Sequence, residues 1–115
     1  MVPQIIGTKR SKHFRACERY CRERAISYQH RDPIEKPLSV VAIPLKNERG
    51  IDPTELIDPD SKRYKERGMA WLDYDPVEEV CADPHLLRQP IVRTDEGVAI
   101  DPDRRRLDEL FSPGR

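Results

Sequence analysis

Six of the eleven prolines in this chain directly follow an aspartate. An aspartate side chain accepts hydrogen bonds from the free N–H groups at a helix start, and a proline in the first helical position has no N–H to leave unsatisfied. Where no helix follows, the same pair forms a turn. We therefore expect each pair to begin a helix or a turn. The pairs begin at Asp32, Asp52, Asp58, Asp75, Asp83 and Asp101.

The first 32 residues predict a β-α-β unit. Residues 3–7 are predicted to form a short strand, and residues 12–24 a helix. Phe14, Cys17 and Cys21 fall on one face of that helix. A second strand follows, in which residues 26, 28 and 30 alternate with polar neighbours. The connection is long enough to bring this strand back parallel to the first.

The middle of the chain predicts a helical insertion over about residues 37–82. Residues 39–49 favour a helix, although residues 40–43 also have the composition of a strand. A β-hairpin and a last helix then complete the order, over residues 91–100 and 103–111. Shorter helices or single turns are predicted at residues 54–57, 61–67, 75–82 and after Asp83.

Length and charge exclude several classes of function. One domain over residues 1–115 is expected at this length. The formal net charge is zero, which gives no reason to expect direct nucleic-acid binding. Apolar runs are too short for a membrane span or a secretory signal, so we expect a soluble cytoplasmic protein. Three cysteines make no disulfide framework, and the histidines lack metal-ligand spacing. We expect no metal and no cofactor.

Charge is distributed unevenly along the chain. Residues 1–31 carry a net charge of +6, from eight Lys or Arg against two Glu, so the remaining residues carry −6. The start of the first helix is crowded with cations, where free N–H groups already favour anions. One interpretation is a site for an anion or an acidic partner, and the other is a solvated basic face. The candidate binding residues here are Lys9, Arg10, Ser11, Lys12 and Arg15.

Three segments resemble the arsenate reductase (ArsC) and Spx family: residues 5–28, 61–68 and, most specifically, 83–92. The resemblance implies a thioredoxin-like α/β fold, β-α-β, helical insertion and β-hairpin-α, with a mixed four-stranded sheet. It also implies a cis peptide bond before Pro90, and it adds Gln89 and Pro90 to the candidate binding residues. The family uses a nucleophilic cysteine after the first strand and arginines that hold an anion.

The sequence departs from the family pattern at each of these functional positions. Ser11 stands where the nucleophilic cysteine belongs, and Asp58 or Asp60 where an anion-binding arginine is expected. Gln89 replaces an arginine before the cis-proline, and residues 101–102 replace a Gly-Arg-Pro-like turn. Serine cannot form a disulfide, so we expect Ser11 to cap the helix rather than to act as a nucleophile.

Cys17 and Cys21 are the alternative catalytic residues. Their spacing places them on one helix face, where we expect them to be core residues, as we do Cys81. We predict a non-catalytic ArsC/Spx-like protein that binds a protein partner, since the Spx branch includes proteins that contact RNA polymerase. The alternative is a thiol-dependent oxidoreductase that uses Cys17 or Cys21 with glutathione or glutaredoxin. A third possibility is an anion-binding module without turnover.

Trp71 is the only tryptophan, and it lies in a segment with Asp73 and Asp75. Aromatic residues beside acids could anchor a partner. A single tryptophan in a small chain is more often a core residue, so we expect Trp71 to be buried.

Overall fold

The computed structural model describes residues 2–36 and 52–111 of the chain. The strands are β1 (Gln4–Ile6), β2 (Gln29–Arg31), β3 (Ile91–Thr94) and β4 (Gly97–Ile100). The helices are α1 (Lys12–Glu23), α2 (Lys62–Glu66), α3 (Pro76–Ala82) and α4 (Arg104–Phe111). Single 3-10 turns occupy Pro53–Leu56, Met69–Trp71 and Pro84–Leu86. The helix predicted for residues 39–49 lies outside the described residues.

The four strands form one mixed sheet in the order β2-β1-β3-β4. β1 pairs with β2 in parallel, as the β-α-β pattern predicts, and Ile5 lies opposite His30. β1 and β3 are antiparallel, with Ile5 opposite Val92. β3 and β4 form the predicted hairpin. The mixed four-stranded sheet expected from the sequence is therefore confirmed.

Alternate residues of the central strands bury opposite faces of the sheet. Ile5 and Val92 pack with the apolar face of α1 and with α4. Ile6 and Ile91 face the other way, toward the turns and helices of the insertion. A two-residue period of this kind is what a strand buried on both faces requires. The basic helix α1 and the described part of the insertion therefore cover opposite faces of the sheet.

The Asp-Pro pairs begin helices or 3-10 turns at Asp52, Asp75 and Asp83, and other turns at Asp32 and Asp58. The Asp52 side chain accepts the Thr54 N–H at 2.9 Å, and that of Asp75 accepts the Val77 N–H at 2.9 Å. The sequence pattern also predicts that the pair at Asp101 opens the last helix. This prediction is wrong, because Asp101 has a left-handed backbone (φ 49°) at the end of β4. Asp103 starts α4 instead, since its side chain accepts the Arg106 N–H at 2.8 Å.

The second strand begins later than the sequence pattern suggests. Ala25 has a left-handed backbone (φ 52°), and the Ile26 N–H donates to the Cys21 carbonyl at 2.9 Å. This closure uses residues 24–26 to end α1, and Ile26 and Tyr28 pack against the core from the loop that follows. Only residues 29–31 remain to pair with β1.

The prediction that Trp71 lies in the core is wrong, because its side chain is 91% exposed. Gly68 takes the left-handed conformation (φ 61°) after α2, and the 3-10 turn that follows buries Met69. Trp71 comes two residues later, at the end of the same turn, and is directed to solvent. Of the three residues in this turn, Met69 is buried in the core, and Ala70 and Trp71 are exposed.

Candidate functional site

An open cleft of about 470 Å³ lies between the start of α1, the turn before α2, and the segment that leads into β3. Ser11, Lys12 and Gln89 line it, so the structure brings these three predicted binding residues together. The remaining polar residues of the lining come from the first turn of α1, the turn before α2, the segment before β3 and the end of β4. They are His13, Asp58, Asp60, Ser61, His85, Arg88 and Asp101.

Ser11 caps α1, as the sequence predicts. Its Oγ accepts the Phe14 N–H at 3.2 Å, and its own N–H donates to the Thr8 carbonyl at 3.1 Å. Ser11 has an extended backbone (φ −78°, ψ 127°), as expected for a residue before the first helical turn. Phe14, whose amide makes the cap, is fully buried and fixes this turn to the core.

Gln89 joins the loop before α1 to the segment before β3. Its Oε1 accepts the Thr8 N–H at 2.6 Å, and the Gln89–Pro90 peptide bond is cis. Gly7 is required beside it, because a Cβ there would lie 2.7 Å from the Phe14 ring and 3.1 Å from Gln89 Oε1. The side-chain amide thus holds the chain at the position where the family resemblance implies an anion-binding arginine. Pro90 itself is buried.

Acidic side chains dominate the charge of the cleft. Asp58, Asp60 and Asp101 face it, against the two permanent cations Lys12 and Arg88. The resemblance implies an arginine at the position of Asp58 or Asp60, and both of these carboxylates line the cleft. A tetrahedral oxyanion needs donors and positive charge around its oxygens, and carboxylates repel it. This lining suits a neutral or cationic group better than an arsenate-like anion.

His13 and Asp101 form a contact that sequence reasoning missed. His13 Nδ1 lies 2.8 Å from Asp101 Oδ1, and the His13 side chain is 65% exposed. The contact joins the first turn of α1 to the turn after β4, across 88 residues of sequence. No local pattern identifies such a pair, because only the sheet brings the two turns together. His85, in the 3-10 turn Pro84–Leu86, also lines the cleft, and no sequence pattern indicated this.

The other predicted basic residues lie beside the cleft or away from it. Lys9 and Arg10 line a neighbouring hollow of about 520 Å³, with Asp32 and Glu35 on its other side. Arg15 lies on the exposed face of α1 and borders neither hollow. The basic segment is therefore spread over the helix start and its outer face, and it does not converge on one anion site.

Cys17 and Cys21 lie on the core face of α1, as predicted. Their side chains are 3% and 0% exposed, and both belong to the apolar layer between α1 and the sheet. A hydrogen bond with Cys21 and burial raise the pKa of Cys17, so the thiolate needed for reductase chemistry is disfavoured. Cys81, on α3, is partly exposed, and burial raises its pKa as well.

Neither hollow offers a metal site. In residues 2–36 and 52–111, no group of three or more His, Cys, Asp or Glu side chains could hold a metal ion. His30, on the second strand, donates from Nε2 to the Gly7 carbonyl at 2.8 Å and stacks on Phe14 with ring centroids 4.7 Å apart. Within the same part of the chain, every helix is too short or too polar to cross a lipid bilayer.

A β-α-β unit and a β-hairpin-α unit that share one mixed sheet, with a cis-proline before the hairpin, define a thioredoxin-like fold. No protein-family model matches the chain, and no curated protein matches it significantly. Solved structures do match, over nearly the whole length of both chains.

An ArsC family related protein from Bacteroides fragilis superposes with a TM-score of 0.80 and 16% identity, covering 96% of this chain and 98% of that one. The arsenate reductase from Vibrio cholerae gives 0.74 and 18%, covering 96% and 95%. An ArsC-related protein from Brucella melitensis gives 0.69 and 14%, covering 97% and 96%. The chain therefore has the ArsC-like form of the thioredoxin fold.

Proposed function

We propose that this protein is a non-catalytic ArsC-like protein that acts in the cytoplasm by binding a protein partner. The observation that carries the proposal is Ser11, whose hydroxyl oxygen caps α1 at the position of the family nucleophile. Arsenate and disulfide reduction both require a thiolate that attacks and is then released by thiol exchange. A hydroxyl has too high a pKa for this role and forms no disulfide.

The charge of the cleft supports the same conclusion. A reductase must balance the developing negative charge on its substrate, and Asp58, Asp60 and Asp101 would oppose it. Gln89 uses its side-chain oxygen to hold the Thr8 amide at 2.6 Å. Both the nucleophile and the groups that would hold an oxyanion are therefore replaced by residues with structural roles.

Burial of the thiols argues against the thiol-dependent oxidoreductase. Attack on a disulfide or on arsenate needs an exposed sulfur, whereas Cys17 and Cys21 are packed between α1 and the sheet. Glutathione or glutaredoxin would need a large opening of the α1 layer to reach them. An anion-binding module is disfavoured for a different reason, because the carboxylates of the cleft repel an anion.

The proposed partner surface is the basic rim between the cleft and the neighbouring hollow. Lys9, Arg10 and Lys12 are exposed around the start of α1, and His13 lies among them. Exposed cations near a helix start, where backbone N–H groups also favour negative charge, suit an acidic protein surface. A regulatory interaction is the kind of role that the Spx resemblance implies.

Activity assays test the catalytic half of the proposal. The purified protein is assayed for arsenate and disulfide reduction with glutathione, glutaredoxin or thioredoxin as the electron donor, beside an active arsenate reductase. We expect rates no higher than those without protein. Turnover that is lost in Cys17→Ala or Cys21→Ala, but kept in Cys81→Ala, would overturn the proposal in favour of the oxidoreductase.

A cross-linking experiment tests the binding half. A photo-reactive residue replaces Lys12, and adducts formed in cells are identified by mass. We expect a discrete adduct with another protein that disappears in Lys9→Glu/Arg10→Glu and persists in Arg104→Glu/Arg105→Glu, the same change of charge on the exposed face of α4. Indifference of every adduct to the rim substitutions would show that the rim is not the partner surface.

A further inference from the structure

The outer surface of the insertion carries an exposed aromatic residue among carboxylates. Trp71 is 91% exposed and Leu72 is 52% exposed. Residues 69–78 contain Asp73, Asp75 and Glu78, all exposed, and no Lys or Arg. None of the three carboxylates forms an ion pair with another residue of the described part of the chain. We call these five residues the Trp71 surface.

The chain segments on both sides of Trp71 keep its side chain in solvent. Gly68 turns the chain with a left-handed backbone, and Met69 fills the core at 1% exposure. α3 then starts at its Asp75 cap, so the segment between is fixed at both ends. A large aromatic side chain held in solvent at a fixed place is typical of a residue that anchors a partner.

The exposed face of α1 has the opposite charge. Lys12, Arg15, Arg19 and Arg22 recur at intervals of three and four residues, so they form one stripe along the helix. All four are exposed, and Ala16, a small exposed residue, lies between the first two and the last two. The described residues supply no acidic partner for any of them. We call these four cations the α1 stripe.

The chemistries of the two surfaces are complementary. An arginine guanidinium stacks on an aromatic face and pairs with carboxylates, so it can use both features of the Trp71 surface at once. The Trp71 surface has three carboxylates, and the α1 stripe has four cations. A small exposed residue such as Ala16 leaves room for a bulky ring between the arginines.

One chain cannot bring its own two surfaces together. The α1 stripe lies outside the layer that Ile5 and Val92 bury, and the Trp71 surface lies outside the layer that Ile6 and Ile91 bury. The two surfaces are therefore on opposite sides of the sheet. A second copy of the chain can present its stripe to the Trp71 surface of the first.

We propose that this protein associates head to tail, with the Trp71 surface of one copy bound to the α1 stripe of the next. The contact joins two different surfaces, so it does not close on a single pair and extends into short chains at high concentration. Ionic contacts give it a strong salt dependence, and the association constant falls by about tenfold between about 0.05 M and 0.5 M salt. The inference goes beyond the proposed function, because it would also hold for a catalytic protein.

Two variants, each with one surface broken, test the contact. Arg15→Glu/Arg19→Glu removes the stripe and keeps Trp71 as the only tryptophan, whereas Trp71→Ala removes the ring and keeps the stripe. We expect the wild type to gain mass with concentration in sedimentation equilibrium, and each variant alone to stay monomeric. Mixed together, the two variants form a heterodimer that cannot grow. Tryptophan emission then reports binding of the Trp-free variant directly, by a saturable blue shift.

The matched control is Trp71→Ala/Arg15→Glu/Arg19→Glu. Added to the stripe variant in place of Trp71→Ala, it must leave the tryptophan emission of the stripe variant unchanged. All these positions are exposed, and circular dichroism checks that each variant is folded. Self-association of the stripe variant alone would mean a symmetric Trp71 contact and would overturn the proposal. A wild type that stays monomeric at millimolar concentration and low salt, or a mixture without a blue shift, would do the same.

Discussion

Two serines begin two helices on the same cleft, and their geometry is nearly the same. Ser11 Oγ accepts the Phe14 N–H at 3.2 Å, and Ser61 Oγ accepts the Tyr64 N–H at 3.2 Å. Both have extended backbones before the first helical turn. The sequence resemblance implies that Ser11 occupies the nucleophile position, an expectation that does not apply to Ser61. Both hydroxyl oxygens nevertheless make the same kind of helix cap.

The two helix starts differ in what lies behind and around them. α1 is anchored by Phe14, which is fully buried, whereas α2 has no buried residue and Tyr64 is only half-buried. Ser61 also donates its hydroxyl proton to the Asp58 carbonyl at 2.8 Å. Charge differs too, since Arg10 precedes Ser11 whereas Asp60 precedes Ser61. The predictions below test these differences.

The largest effect is expected from removing the anchor of α1. Phe14→Ala opens a cavity in the core and should lower the free energy of unfolding by about 3–5 kcal/mol. Tyr64→Ala, the matched change in α2, should lower it by only about 1–2 kcal/mol because less area is buried there. Urea unfolding followed by circular dichroism measures both. Equal losses would contradict the difference in anchoring.

A thiol should be more reactive at the start of α1 than at the start of α2. In a Cys81→Ser background, Ser11→Cys should be alkylated about tenfold faster at neutral pH than Ser61→Cys. Arg10 and the longer helix favour the thiolate at position 11, while Asp58 and Asp60 oppose it at position 61. Alkylation rates against pH give both pKa values.

The reactive thiol should still not restore efficient arsenate reduction. Ser11→Cys supplies a nucleophile, but the cleft keeps its three carboxylates, against Lys12 and Arg88 as the permanent cations of its lining. Turnover by Ser11→Cys near that of an active arsenate reductase would show that anion-binding groups exist elsewhere in the chain.

Loss of the caps has a smaller effect. Ser11→Ala should lower the free energy of unfolding by about 1 kcal/mol, since it removes one cap hydrogen bond. Ser61→Ala should cost about 0.5–1 kcal/mol more, because the bond to the Asp58 carbonyl is lost as well. Asp or Asn at position 11 restores most of the loss, whereas Asp at position 61 restores less, because a carboxylate cannot donate to the Asp58 carbonyl. A neutral Ser11→Ala would show that the cap bond contributes nothing.

The smallest effect concerns alkaline pH and two tyrosines that pack on the α1 side of the sheet. Burial, with a hydrogen bond to Asp108, raises the pKa of Tyr20 to about 12, and burial with a bond to Glu18 raises that of Tyr28 to about 12. Both values exceed the ordinary 10.0, so the folded state keeps these protons longer than the unfolded state does. Their contribution is complete below pH 10 and is lost as pH rises toward 12.

Tyrosinate absorbance checks this prediction. Tyr20 and Tyr28 should titrate late in the folded protein, and Tyr20→Phe should remove one late step. The free energy of unfolding should fall less steeply above pH 10 in Tyr20→Phe/Tyr28→Phe than in the wild type. Identical slopes would mean that the two phenols ionise equally in both states.

Local patterns predicted the elements well wherever the deciding contacts lie within a few residues. The Asp75 cap of α3, the Ser11 cap of α1 and the hairpin of β3 and β4 each depend on neighbours in sequence. The core face of α1 follows from helical periodicity alone, so the burial of Cys17 and Cys21 was predictable. The start of β2 was less predictable, because alanine at position 25 does not indicate a left-handed backbone.

The start of most helices and the buried face of α1 could be predicted from the sequence alone, because cap hydrogen bonds and side-chain periodicity act over three or four residues. The contact of His13 with Asp101, and the burial of Met69 rather than Trp71, could not be predicted in this way. Such outcomes depend on how distant segments pack on the sheet, where space for one large side chain excludes another.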